Sequence, residues 1–337
     1  MVIKKNSSHP KVAFGKNAIL LINLGTPSST SKKDIKKYLK EFLSDNRIIE
    51  VNKYLWWFIL NLIILNVRPS KTAETYKQIW MHDLDQSPLR YYTIQQTQKL
   101  SKKISNDNLI VDYAMRYGEP NIKDKILELK ENGCENIVIL PLYPQYSSAT
   151  IGSVCDSVFK TLLEMRWQPS IQIIPHYDSH PLYIDALNKV LAKSISSVNW
   201  KPDLIITSYH GIPKRYFLKG DPYHCHCHKT TRLLKEKSKK KVPFLTTFQS
   251  RFGPEEWLKP YTEETLIDLA KNKKKNVVVI CPGFSSDCIE TLEEINIRAK
   301  QVFLDNGGEN FLMVPCLNDS THHIRLLLSL VKKYIHG

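Results

Sequence analysis

The 337-residue sequence contains no apolar run long enough to cross a bilayer. A membrane-spanning helix needs roughly 20 such residues, and the longest run, LWWFILNLIILNV at 55–67, falls short. It is suited to lie on a membrane, not to span one. Near the N-terminus the apolar run at 18–22 is too short for a signal-peptide core and has no small-residue cleavage site after it, so a cytoplasmic location is expected, with the inner face of the plasma membrane as a peripheral docking place. No G-x-G-x-x-G follows a candidate strand and no G-x-x-x-x-G-K-[ST] occurs, which removes most support for dinucleotide and P-loop chemistry. The seven cysteines, at 134, 155, 225, 227, 281, 288 and 316, are odd in number and lack a regular framework. That excludes a secreted disulfide scaffold and favours a reducing compartment.

A nucleic-acid footprint is missing as well. The net charge of +15 comes from 48 basic against 33 acidic residues, but lysine runs such as KEKSKKK (235–241) and KNKKK (271–275) lie between apolar segments, as solvated helix ends and loops do. Without a clustered stripe interleaved with aromatics, the charge implies only attraction to anionic membrane surfaces or acidic partners.

What is present is an alternation. Largely apolar runs at 18–24, 108–115, 136–143, 170–177, 203–209, 242–248 and 276–284 read as strands buried on both faces. Segments of helical periodicity at 120–132, 153–165, 181–196, 224–237, 262–271 and 287–305 separate them. The pattern predicts an α/β protein of two similar domains, each a parallel sheet flanked by helices. The boundary falls near residue 170: 1–170 and 171–317, with the final helix (318–337) packing back on the first domain.

In open parallel sheets, ligands sit beyond the carboxyl ends of the strands. His210 follows LIITSY and precedes Gly211, so a tight turn presents an imidazole able to act as a base or bind a metal. After NVVVICPGF, Asp287, Glu290 and Glu294 fall at i, i+3 and i+7 of an expected helix. An Asp287 N-cap with Glu290 at N3 explains two of them, at about 1 kcal/mol; a carboxylate row that relays protons or passes a hydrated cation explains all three. DPYHCHCHK (221–229) begins with a capping Asp221 and Pro222 at N1. On the helix that follows, His224 and His228 share a face and Cys225 and Cys227 point elsewhere. No second cysteine pair at zinc-finger spacing completes a structural zinc site, and surface decoration is the stronger reading.

Seven motifs in order, LLINLGTP near the start, AETYKQIW (73–80), PLYPQYS (141–147), HGIP (210–213), GDPY (220–223), FQSRFGPEEWLKPYT (248–262) and DCIETLEE (287–294), resemble the ferrochelatase family. The resemblance runs through nearly the whole chain and implies two Rossmann-like domains, parallel sheets flanked by helices, with a porphyrin cleft between them. It implies a lyase that inserts Fe²⁺ into protoporphyrin IX, releasing two protons and forming protohaem in the last step of haem synthesis. By motif, His210 resembles the histidine that binds metal or accepts a pyrrole proton, Glu290 its acidic partner, and Asp287 and Glu294 relay or supporting groups. Leu24, Arg116, Tyr117, Tyr143, Gln249, Ser250, Trp257 and Phe284 are the expected porphyrin contacts, with Arg116 and Arg251 candidates for the propionates. The run at 54–67, with Trp56, Trp57, Phe58, Ile59 and Leu60, resembles the apolar lip that guards the cleft and dips into a membrane.

Two departures from the family pattern stand out. Cys288 occupies a position where many relatives carry histidine. Ser148 replaces the cysteine that in animal members follows PQYS, so a [2Fe–2S] cluster of that kind is not expected, and no cofactor is required beyond substrate Fe²⁺; another cluster arrangement, of HCHCH with Cys155, Cys281 and Cys316, stays open. Coproporphyrin III as substrate, a non-catalytic haem or porphyrin carrier, and a metal-storage protein built on HCHCH are the competing readings.

Overall fold

Strands that are apolar on both faces must be covered on both faces, and helical crossovers supply that cover when neighbouring strands run parallel. The computed structural model, which describes residues 13–104, 106–238 and 241–335, follows this logic twice. β1 (Lys16–Gly25), β2 (Leu109–Tyr117), β3 (Cys134–Pro141) and β4 (Ser170–Ile173) form one parallel sheet in the order β2-β1-β3-β4. β5 (Leu204–His210), β6 (Phe244–Gln249), β7 (Asn276–Ile280) and β8 (Asn310–Val314) form the second, in the order β6-β5-β7-β8. The expected α/β class with two parallel sheets is therefore the observed one. β8 was not anticipated: NFLMV has a single β-branched residue and only five positions. The run at 276–284 yields strand only to Ile280, because Pro282 and Gly283 end the ladder.

One apolar core spans both sheets. Ile19 and Leu21 of β1 and Leu140 of β3 belong to the same buried cluster as Ile205 of β5, Ile280 of β7 and Val314 of β8. Leu187 and Leu191 of the helix Pro181–Ser196, and Leu327 and Val331 of the helix Thr321–Ile335, complete it. The last helix packs on Pro181–Ser196 and on Pro88–Ile104.

The run at 55–67 is helical throughout, as Lys53–Phe58, a π-helical turn Ile59–Ile64 and Leu65–Ile79. Pro69 has no N–H for the carbonyl four residues earlier, and the wider turn precedes it. Leu60, Ile64 and Leu65 pack on Ile35, Tyr38 and Leu39 of the helix Lys32–Leu43. Tyr54, Leu55, Trp57, Phe58, Leu62, Ile63 and Val67 remain exposed. Leu60, expected on the lip, is thus a core residue, and Trp56 is half-buried with its indole N–H donating to the Leu43 carbonyl. Among the described residues no helix is long and apolar enough to cross a membrane.

At the carboxyl edge of the first sheet, Gly25 adopts φ +110° and lies so close to β2 that a Cβ there would stand 1.7 Å from the Tyr117 carbonyl oxygen. Only glycine allows this approach. Gly25→Ala is expected to cost about 3 kcal/mol or more, since backbone strain and a steric clash combine; urea unfolding of the two proteins at equal slope measures it.

Candidate active site

The carboxyl ends of both sheets converge on one cleft, and His210 stands in it as the last residue of β5. Its Nδ1 lies 2.7 Å from the Gly211 carbonyl oxygen, an acceptor, so Nδ1 carries the proton and Nε2 keeps a lone pair for a proton or a metal. Gly211 is required here by contact: a Cβ would meet the Gln249 carbonyl at 2.9 Å and the Trp257 ring at 3.1 Å. Trp257 is held beside His210 by a bridge to Pro213, with ring centroids 6.5 Å apart.

Glu290 reaches the cleft from the other side of the second sheet's edge, on the short helix Ile289–Leu292. That helix starts one residue later than the sequence predicts. Cys288 is the N-cap and Thr291 the N3 partner, whose hydroxyl accepts the Cys288 N–H at 3.0 Å. Burial raises the Glu290 carboxyl above its ordinary value of 4.5, while the charge of His210 pulls in the opposite direction. Burial also holds the Cys288 thiol well above its usual range, so the group beside Glu290 is neutral.

A π-helical stretch, Glu294–Ala299, follows. Glu294 accepts hydrogen bonds from the Ser250 N–H at 2.7 Å and the Ser250 hydroxyl at 2.5 Å. The Gln249 amide donates to the Glu290 carbonyl oxygen at 2.7 Å. These bonds hold Ser250 at φ +66°, a left-handed conformation that a serine keeps only when its surroundings impose it. Gln249, Ser250 and Glu294 line the outer part of the cleft together with His210 and Trp257.

The cleft has an inner chamber of about 150 Å³ and an outer mouth of about 720 Å³ that share His210 and Trp257. Their sum reaches the upper end of the roughly 300–1,000 Å³ typical of small-molecule sites. Leu24, Tyr143 and Phe284 wall the inner chamber, and the buried Trp257 Nε1, Gln145 Oε1 and Ser285 Oγ have no hydrogen-bond partner. An apolar slot with a few unpaired polar atoms suits a large flat ligand with polar edges.

With that geometry stand the relatives. The ferrochelatase family model matches residues 16–335, and a ferrochelatase of Allorhizobium ampelinum is 50% identical over 333 residues, covering 98% of this chain and 97% of that one. The chain belongs to the ferrochelatase family. A second ferrochelatase, of Agrobacterium fabrum, is 48% identical with the same coverage. Among solved structures, SirB from Bacillus subtilis with Fe³⁺ shares the fold at a TM-score of 0.59 and 11% identity, over 95% of this chain and 96% of its own. Ferrochelatases are metal chelatases and lyases of haem synthesis, and in this member three expected site residues lie outside the cleft lining. Arg116 is paired with Asp45 at 2.5 Å and donates to the Ser153 hydroxyl at 2.7 Å. The buried Tyr117 hydroxyl donates to Asp45 at 2.8 Å. Asp287 accepts from the Cys316 N–H, the Asn318 amide and the Thr291 hydroxyl, fastening the 316–318 loop.

Conversely, sequence reasoning missed Phe42, Ile48 and Tyr216, which line both chambers, and Arg68 at the mouth, whose guanidinium sits 4.3 Å from the centre of the Phe252 ring. Arg68 directly follows the apolar run, and its position there was the available signal. Of the HCHCH stretch, Cys225 is exposed and Cys227 is buried against Tyr209 and Tyr223. The raised Glu290 carboxyl gives a sign to pH dependence: its protonated form is favoured by folding, so wild-type stability falls as pH rises through and above 4.5. Glu290→Gln is expected to raise the melting temperature at pH 7 relative to wild type, with the difference closing below pH 4.5, as paired thermal melts across that range will register.

Proposed function

We propose that this chain inserts Fe²⁺ into protoporphyrin IX, releasing two protons and forming protohaem, with iron as substrate and no resident cofactor. The observation that carries the reading is the meeting of His210 and Glu290 in one aromatic, largely apolar cleft. The macrocycle would lie between Trp257 and His210 on one side and the wall of Leu24, Tyr143 and Phe284 on the other, a fit that favours a ring bent out of plane and exposes its nitrogen lone pairs. His210, with Nδ1 tied to Gly211, offers Nε2 to a pyrrole proton or to the metal. Burial favours the protonated form of Glu290, and a dication or imidazolium beside it would draw its pKa back down. Glu294, fixed by Ser250 at the mouth, continues the acidic route outward.

The arginine-lined mouth bears on a more carboxylated substrate, coproporphyrin III. Arg215 is already paired with Glu50 and Glu255, Arg251 with Glu264, and Arg298 with Glu293, which leaves fewer free cations than four propionates would use. Anaerobic assay of the purified protein with Fe²⁺ and each porphyrin tests both readings. Protoporphyrin IX is expected to be metallated faster, and His210→Ala to lose at least about 100-fold in rate, the scale of a removed general base, whereas Cys225→Ser keeps its activity. Wild type that binds porphyrin without metallating it would make the chain a carrier.

We further propose that the exposed face of Tyr54, Leu55, Trp57, Phe58, Leu62 and Ile63 rests on the membrane. A bilayer there would deliver and receive poorly soluble rings at the mouth, which Trp56 of the same segment lines. Flotation with vesicles containing phosphatidylglycerol is expected to carry wild type, and Trp57→Glu/Phe58→Glu is expected to stay with the soluble fraction.

A further inference from the structure

The histidines of residues 224–228 do not act as one group. His224 and His228 lie against each other with ring centroids 4.3 Å apart and planes tilted by 44°. His226 turns to another part of the chain, its ring 4.2 Å from that of His176. His176 in turn donates from Nδ1 to Asp178 Oδ1 at 2.5 Å. One ligand atom from each of His176, Asp178 and His226 lies within 4.8 Å of the other two, the one such group among the described residues. The Asp178 side chain has no exposed surface, yet its Oδ2 has no hydrogen-bond partner. The nearby cation, Lys229, stands 3.6 Å away, beyond hydrogen-bonding distance. An ion pair at that distance with a lysine that is itself exposed compensates a fully buried carboxylate only in part, and leaves room for a closer cation.

We propose that His176, Asp178 and His226 bind a first-row divalent cation at a site separate from the His210–Glu290 cleft. Two imidazoles and one carboxylate suit Zn²⁺, Co²⁺ or Fe²⁺ and leave positions for water. An ion bound through His176 Nδ1 takes the place of the hydrogen bond between that nitrogen and Asp178 Oδ1, whereas one bound through Nε2 leaves it intact. At His226 the ion displaces a bond: the Tyr146 N–H donates to His226 Nδ1 at 3.2 Å. A ring bound through Nε2 carries its proton on Nδ1, and a ring bound through Nδ1 has no lone pair left there, so in either case Tyr146 loses its acceptor. Gln145 and Ser147, on both sides of Tyr146, line the cleft. Occupancy is thereby transmitted to the cleft wall through one loop.

The test is equilibrium dialysis of the full chain carrying His210→Ala against Co²⁺ without porphyrin, which takes the cleft histidine out of the count and is independent of the chelatase reading. One bound Co²⁺ is expected. Adding His176→Ala or His226→Gln is expected to weaken it by at least about tenfold, because loss of even an outer-shell partner costs 10–100-fold. Cys225→Ser and His224→Ala are expected to leave it unchanged. Absence of bound Co²⁺, unchanged affinity in the His176 and His226 variants, or loss of binding with His224→Ala overturns the proposal. Should a variant fail to fold, paramagnetic broadening of the His176 and His226 imidazole resonances by Co²⁺ in the chain with both intact decides the matter.

Discussion

The shared apolar core is the constraint on which the rest of the molecule depends. Two four-stranded sheets with separate cores would leave the spacing of their carboxyl edges to surface contacts, which permit relative motion. Here Leu21, Leu140, Ile205, Ile280 and Val314 are buried in one cluster, sealed by the helices Pro181–Ser196 and Thr321–Ile335. Side chains packed at interior density transmit position. The distance between the wall bearing Leu24 and Tyr143 and the edge bearing His210 and Glu290 is thus a property of the core, not of the loops.

Much of this was legible in the sequence because burial on both strand faces writes uninterrupted apolar runs. AILLINL, NIVILPLY and DLIITSY became β1, β3 and β5, and the residue following such a run is placed at a sheet edge by geometry alone. His210 was found this way; Leu24, Tyr143, Gln249 and Phe284, named through the family resemblance, also stand at or just beyond strand ends, and all five line the cleft. The same rule misplaces residues whose facing it cannot decide. Arg116 and Tyr117 end β2 but turn to Asp45 and Ser153. Asp287 precedes its helix instead of sitting on it, because Cys288 caps and shifts the phase by one residue. Leu60 was assigned to the lip by resemblance, whereas a π-helical turn, which no periodicity of 3.6 anticipates, carries it into the core.

Stability and chemistry oppose each other at Glu290. Desolvation makes its charged form unfavourable in the folded chain, and beside the same helix Ser250 is held in a left-handed conformation by its bonds to Glu294. Both are local costs concentrated in the cleft, the kind that folded proteins keep where binding or chemistry requires them and offset elsewhere.

The neutral thiol of Cys288 next to Glu290 has a further consequence. An imidazolium in its place would supply a counter-charge and favour ionisation of the carboxyl before any metal arrived. With a thiol there, on the proposed roles, ionisation of Glu290 is left to His210 and to the incoming dication itself. The carboxyl, whose protonated form burial favours, then works as an ion-exchange resin does, trading its proton for a divalent cation, so that metal entry and proton exit become two halves of one exchange.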